Sequence, residues 1–187
     1  MEKTAVLFLT TGFEEAEALV TADVLRRGGV AVTTASLTDE AFVTGSHDIS
    51  VRADAFFEDI ENAAFDAVIL PGGPGANRYM EHDRLPAYIE KAAGENVLLA
   101  AICAAPSVLG GLGLLNGKRA TCFPGYEDKL TGAVVTGAAA EEDGRVITGK
   151  SAGCVFDFAL RVLKYLHGAE TSQKIKSAMY YNFADDL

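Results

Sequence analysis

Residues 97–106 read Val97-Leu98-Leu99-Ala100-Ala101-Ile102-Cys103-Ala104-Ala105-Pro106, and this stretch decides the fold. A continuous apolar run of strand length, Val97 to Ile102, belongs to a strand covered on both faces. Cys103 follows it at once. Ala104 and Ala105 are small enough for a sharp turn, and Pro106 suits the first turn of a helix, where its missing N–H costs nothing. The whole segment from Val97 to Leu115 is 19 residues without a charge, close to the roughly 20 that a bilayer requires. Pro106, Gly110, Gly111 and Gly113 interrupt it, so it reads as buried strand, turn and small-residue helix rather than a membrane span.

Outward from this unit the same alternation repeats. Ala5 to Thr10 (AVLFLT) reads as a buried strand, and Phe13, Ala16, Val20 and Val24 mark one face of a helix ending at Gly28-Gly29. Val30 to Leu37 is a second strand, Thr44 to Val51 a short extended excursion, and Ala67 to Leu70 a third buried strand that stops at Pro71-Gly72-Gly73. Leu85 to Ala93 and Ala105 to Leu115 read as helices. Shorter strands are expected at Arg119 to Phe123, Ala133 to Thr136 and Val146 to Thr148. A last helix carries Val155, Phe158, Ala159, Val162, Leu163 and Leu166 and finishes at His167-Gly168. Strand and helix in alternation specify an α/β protein with a mostly parallel sheet, and 187 residues suit one domain, 1–187.

A net charge of −10 repels nucleic acids and anionic membranes, so neither is an expected partner; a small soluble ligand or another protein is. Three cysteines cannot all pair within the chain, and Met1-Glu2-Lys3 runs straight into an apolar strand with no export signal. A reducing cytoplasm is the expected location.

In open α/β sheets, ligands bind beyond the carboxyl ends of strands, so Gly12 to Glu17, Pro71 to Gly75 and Cys103 to Pro106 carry most weight. Cys103 before a helix meets unpaired N–H groups that favour a thiolate; its plain alternative is a packed thiol. Pro71-Gly72-Gly73-Pro74-Gly75 lets backbone amides approach a ligand, or is simply a tight turn. Glu14, Glu15 and Glu17 complement a helix dipole, yet Glu14 and Glu17 share a face close to apolar positions, so at least one should point inward. An inward carboxyl beside sulfur would be desolvated and stay protonated. His82 and His167 read as structural, Cys122 and Cys154 as packed thiols. No His, Cys or Asp pair has metal-ligand spacing, so neither a metal nor a cofactor is expected.

GFEEAE after the first strand, AVILPGGPGA after the third, AAICAAPSVL at the turn and FDFALRVLKYLHG in the last helix together resemble the ThiJ/PfpI family. The similarity runs from about Lys3 to about Met179, in the branch of the parkinsonism-associated protein deglycase and bacterial YajL. The resemblance implies a flavodoxin-like three-layer sandwich, a homodimer and a strained nucleophile elbow at Cys103. It places Glu17 as the glutamate bonded to the cysteine, and Gly72, Gly73 and Ala104 along the pocket. Glu14 falls on a nearby carboxylate and Arg27 near the dimer seam.

Several positions depart from that pattern. Phe123-Pro124 stands where glyoxalase-active members carry histidine and proline, Ala104 where the protease-like branch has histidine, and His47 where the human-like branch has arginine. Ser151-Ala152-Gly153 replaces a Gly-Pro-Gly turn. The resemblance therefore implies a weak glyoxalase III or deglycase-like activity on reactive carbonyls or glycated substrates through Cys103 and Glu17, with His47 or Glu14 as accessory groups. The alternatives are a redox-sensing or chaperone-type protein whose Cys103 is oxidised to a sulfinate, and a cysteine peptidase, which lacks its histidine.

Overall fold

The computed structural model describes residues 2–181; residue 1 and residues 182–187 of the domain expected over 1–187 lie outside them. The elements in order are β1 (Lys3–Leu9), α1 (Glu15–Arg27), β2 (Val30–Ser36), β3 (Phe42–Thr44), β4 (Ser50–Arg52), β5 (Ala55–Phe56), α2 (Phe57–Ile60) and β6 (Ala67–Leu70). Then come α3 (Arg78–Glu81), α4 (Leu85–Gly94), β7 (Leu98–Ile102), α5 (Pro106–Gly111), β8 (Arg119–Ala120), β9 (Val134–Val135), β10 (Ala140–Asp143), β11 (Val146–Gly149) and α6 (Val155–Ala178).

Seven strands form the central sheet in the order β10-β11-β7-β6-β1-β2-β5. Every pair in it is parallel except β10 with β11. The continuous apolar runs resolve into two faces, because successive strand residues point to opposite sides. Leu7, Leu9, Ile69, Ala100 and Ile102 join the core beneath α1 and α6. Val6, Phe8, Val68, Leu70, Leu99 and Ala101 join the core beneath the helices of the other face. The sandwich is flavodoxin-like, as expected. Among the described residues no helix is long and apolar enough to cross a membrane.

The structure corrects several element boundaries. Helix α1 buries Glu15, Glu17, Ala18, Thr21, Val24 and Leu25, while Ala16 is exposed and Val20 only half-buried. Its phase is rotated from the apolar pattern because Gly12–Glu14 is a turn, not a helix: Phe13 N–H donates to Thr10 O and Glu14 N–H to Gly72 O. The excursion after β2 is the hairpin β3–β4, outside the main sheet. Strands β8 and β9 shrink to two residues each, paired in a small sheet of their own, and α5 ends at Gly111. At Gly168 (φ 86°) the last helix breaks, as read, but helical turns continue beyond it to Ala178. His167 lies just before this break, with its Nε2 buried and without a partner among the described residues.

His82 has the structural role expected of it. Its Nδ1 accepts the amides of Arg84 (3.2 Å) and Leu85 (3.1 Å) at the start of α4, and burial together with the Arg84 charge holds its pKa below the ordinary 6.5. Protonation would remove this acceptor. A folded pKa below the unfolded one means the cap contributes fully above about pH 6.5 and is lost as pH falls. His82→Ala should therefore lower stability by about 1 kcal/mol at pH 8 and by much less at pH 5, read from urea midpoints.

Candidate active site

Cys103 occupies the turn between β7 and α5 with φ 66°, a conformation that costs a side-chain-bearing residue about 1–3 kcal/mol. Neighbouring backbone holds it there. Cys103 N–H donates to Gly149 O at 2.9 Å, and Phe123 N–H donates to Cys103 O at 2.8 Å. The elbow aims the half-buried thiol over the carboxyl ends of β6 and β7.

Helix α1 carries Glu17 to the same place. The residue is wholly buried. Its Oε2 accepts the Gly72 amide at 2.7 Å, while its Oε1 has no partner of hydrogen-bond geometry among the described residues. Gly72 must lack a side chain here, since a Cβ would lie 2.7 Å from Cys103 Cβ and 2.8 Å from both Glu17 Oε2 and Ile102 O. Gly73, at φ 96°, adopts a left-handed conformation open to glycine.

Burial, with the Glu14 charge behind it, pushes Glu17 up to about 7, against the Gly72 amide and the nearby Cys103 thiol, which favour its anion. Burial, the Glu17 charge and its hydrogen bond push Cys103 up to about 12, against the Gly73 and Ala104 amides. This corrects the expectation of a thiol acidified by a helix N-terminus: α5 begins only at Pro106, and an ionised carboxylate lies against the sulfur. The two groups titrate as a pair. Once Glu17 holds a proton its charge no longer opposes the thiolate, and burial is what remains against the two amides at sulfur.

The remaining candidates separate into two sets. Ala104 is buried beside the sulfur, and Phe123, 44% exposed, adjoins it through backbone. Glu14 and His47 sit farther off and do not act on Cys103 directly: His47 Nδ1 lies 2.9 Å from Glu15 Oε2 and 3.7 Å from Glu14 Oε1, and Glu14 reaches the pair only through its charge on Glu17. Glu15 and Ser46 were not singled out by sequence reasoning. Glu15 is buried and gathers His47 and Ser46; its position in the first helical turn reads as a solvent-facing dipole partner, and no local signal says otherwise. Glu14, Glu15 and His47 bring ligand-type atoms within 4.8 Å of one another, but the Glu15 oxygens are already taken by hydrogen bonds. Cys122 is buried and its thiol is raised to about 11 by burial. Cys154 is half-buried beside Ser151 Oγ.

A parallel sandwich with a cysteine at a strained strand-to-helix elbow and a buried glutamate against it defines a class of flavodoxin-like proteins. Residues 3–165 match the DJ-1/PfpI family, and this chain belongs to it. Protein dj-1beta of Drosophila melanogaster is 34% identical over 182 residues, covering 96% of this chain and 97% of its own length. Its crystal structure superposes with a TM-score of 0.91, covering 96% and 98% of the two chains. Caenorhabditis elegans DJR-1.2, named a glutathione-independent glyoxalase, is 33% identical, covering 93% of this chain and 94% of its own. The structure titled oxidized Toxoplasma gondii DJ-1 has a TM-score of 0.93 at 29% identity, covering 97% and 100%. The chain spans less than half the length of the Arabidopsis thaliana DJ-1 homologs A and B, which are 35% identical to it.

Proposed function

We propose that this protein is a slow, single-domain enzyme for small reactive carbonyls such as methylglyoxal, or for glycated adducts, with Cys103 as nucleophile and Glu17 as proton carrier. The observation that carries the reading is the wholly buried Glu17 carboxyl, with Oε2 on the Gly72 amide and Oε1 without a partner among the described residues, acting on the Cys103 thiol. Proton transfer from sulfur to Glu17 leaves a thiolate that adds to the aldehyde carbon. The C–S bond forms, the C=O pair moves to oxygen, and the Gly73 and Ala104 amides oppose the new charge. In the hemithioacetal a proton then leaves that carbon and another arrives at the neighbouring one, and water hydrolyses the resulting thioester to lactate. The name of the nematode relative supports this substrate class. Phe123 supplies no proton, which is why the enzyme is slow. The reading includes a cytoplasmic homodimer with Arg27 near its seam.

A second reading draws on the oxidized Toxoplasma relative: Cys103 reacts with two equivalents of peroxide, gains two oxygens as a sulfinate and releases two waters. One experiment separates the two. Methylglyoxal loss and lactate formation are followed with the protein and with Cys103→Ala, and the Cys103 peptide is weighed after mild peroxide. Turnover that vanishes in the variant is expected; stoichiometric oxidation with no turnover would replace the first reading by the second.

A further inference from the structure

The hairpin β3–β4 stands outside the seven-stranded sheet, so its place depends on what its tip touches. Gly12 N–H donates to Thr44 O and Ser46 N–H to Phe13 O, each at 2.8 Å. These bonds tie the tip to the turn after β1. Glu15 completes the attachment: Oε1 accepts the His47 amide at 2.6 Å and the Ile49 amide at 3.4 Å, and Oε2 meets Ser46 Oγ at 3.1 Å and His47 Nδ1 at 2.9 Å. The side chain fits only because residue 45 is glycine, whose Cβ would fall 2.3 Å from Glu15 Cδ. Burial opposes the Glu15 charge, but the His47 and Ser46 hydrogen bonds outweigh it and hold the carboxyl at about 2.

We propose that Glu15, Ser46 and His47 form a latch that fixes the Gly12–Glu14 turn and the charge facing Glu17, so that Glu15 and His47 are positioning residues for Cys103. The inference rests on the reading of Cys103 and Glu17 as the reactive pair. Contacts run without a gap from latch to pair: Ser46 Oγ donates to Glu14 Oε2 at 3.0 Å, Glu14 N–H donates to Gly72 O at 2.9 Å, and Gly72 N–H donates to Glu17 Oε2 at 2.7 Å. Charge follows the same route. The Glu14 carboxylate adds to the forces that raise Glu17, and the imidazole facing Glu14 is His47. The acidic groups facing His47 are Glu14 and Glu15 on the α1 side and Asp48 on its own tip, and all three favour its cation. Protonated His47 offsets Glu14; deprotonated or absent, it leaves Glu17 more strongly protonated, which removes charge facing the sulfur and makes the thiol easier to ionise.

The test is the pH profile of Cys103 alkylation by iodoacetamide in the full chain, with deuterium exchange at residues 46–49 as a second readout. The His47 side chain is 66% exposed, so His47→Ala should fold. It should be alkylated roughly two- to five-fold more quickly at pH 7, with its profile displaced to lower pH. His47→Arg should restore the profile, because a guanidinium keeps both donor and charge. Glu15→Gln should speed amide exchange at 46–49. A His47→Ala profile coincident with the parent, or an Arg variant that behaves like the Ala variant, overturns the latch. A parent Cys103 that is inert at every pH overturns instead the reactive-pair reading on which the latch rests.

Discussion

Glu17→Ala is expected to lower carbonyl turnover by about 10²–10⁴-fold, the usual contribution of a positioned proton carrier. Glu17→Gln should lose turnover to a similar degree, but for a different reason, and the contrast identifies the role. A glutamine can accept the Gly72 amide with its oxygen, as Glu17 does, and donate to sulfur with its nitrogen, as the proposed protonated Glu17 would. It cannot carry a proton. Iodoacetamide should therefore still find a reactive Cys103 in Glu17→Gln, with the profile moved to lower pH, because the charge and hydrogen bond that raise the thiol in the parent are gone. Glu17→Ala strands the buried Gly72 amide and should lose that reactivity as well. Stability gives an independent reading. Glu17 rises from 4.5 to about 7 on folding, so the stability it contributes is full below pH 4.5 and is lost as pH rises through about 7. Glu17→Gln should abolish that loss, making the variant more stable than the parent at pH 8. Equal alkylation profiles in the Gln and Ala variants would rule out hydrogen-bond donation by Glu17.

What could be read from the sequence was what local pattern determines. The strands β1, β6 and β7 are apolar runs too continuous for any element but a buried strand, and the segments that follow their carboxyl ends carry Glu17, Gly72, Gly73 and Cys103. What could not be read was decided across space. Ala55–Phe56 and Phe57–Ile60 form a strand and a helix too short to carry a period, although Phe57 is among the large side chains wholly buried. Glu15 and Glu17 are two residues apart in one helical turn, and both are buried. One becomes strongly acidic and the other weakly so, because Glu15 meets four donors and Glu17 one amide. The raised thiol has the same origin: the helix after Cys103 is visible in the sequence, whereas the carboxylate against it arrives from α1.

The crevice between β1 and β6, where chain direction across the sheet reverses, is the usual ligand site of such sheets. Here backbone fills it. Gly75 N–H donates to Gly12 O at 3.0 Å, and a Cβ on Gly75 would fall 2.0 Å from Thr11 O. With that crevice closed, the open chemistry moves one strand over, to the carboxyl end of β7, and Gly72 becomes the hinge between the filled crevice and the thiol.

Gly72→Ala is for this reason the second substitution expected to have a large effect. Two of the three atoms a Cβ would meet are fixed: Ile102 O belongs to β7, and Cys103 Cβ is held at φ 66° by bonds to Gly149 and Phe123. The third, Glu17 Oε2 at 2.8 Å, is the atom that accepts the Gly72 amide, so relief must come from displacing either the elbow or the carboxyl. Overpacking of this kind costs about 1–3 kcal/mol, and a shift of about 1 Å at reacting groups costs on the order of 10²-fold in rate. Both should appear together, as a lower urea midpoint and as lost carbonyl turnover in protein that remains folded. Gly94→Ala is the matched control, since residue 94 lies in α4 with nothing within 4 Å of its Cβ position. It should leave turnover unchanged and raise stability by about 0.5–1 kcal/mol. A folded Gly72→Ala protein with the parent's alkylation profile and turnover would mean that the elbow and the Glu17 carboxyl can both yield without loss, and that neither needs the geometry described for it.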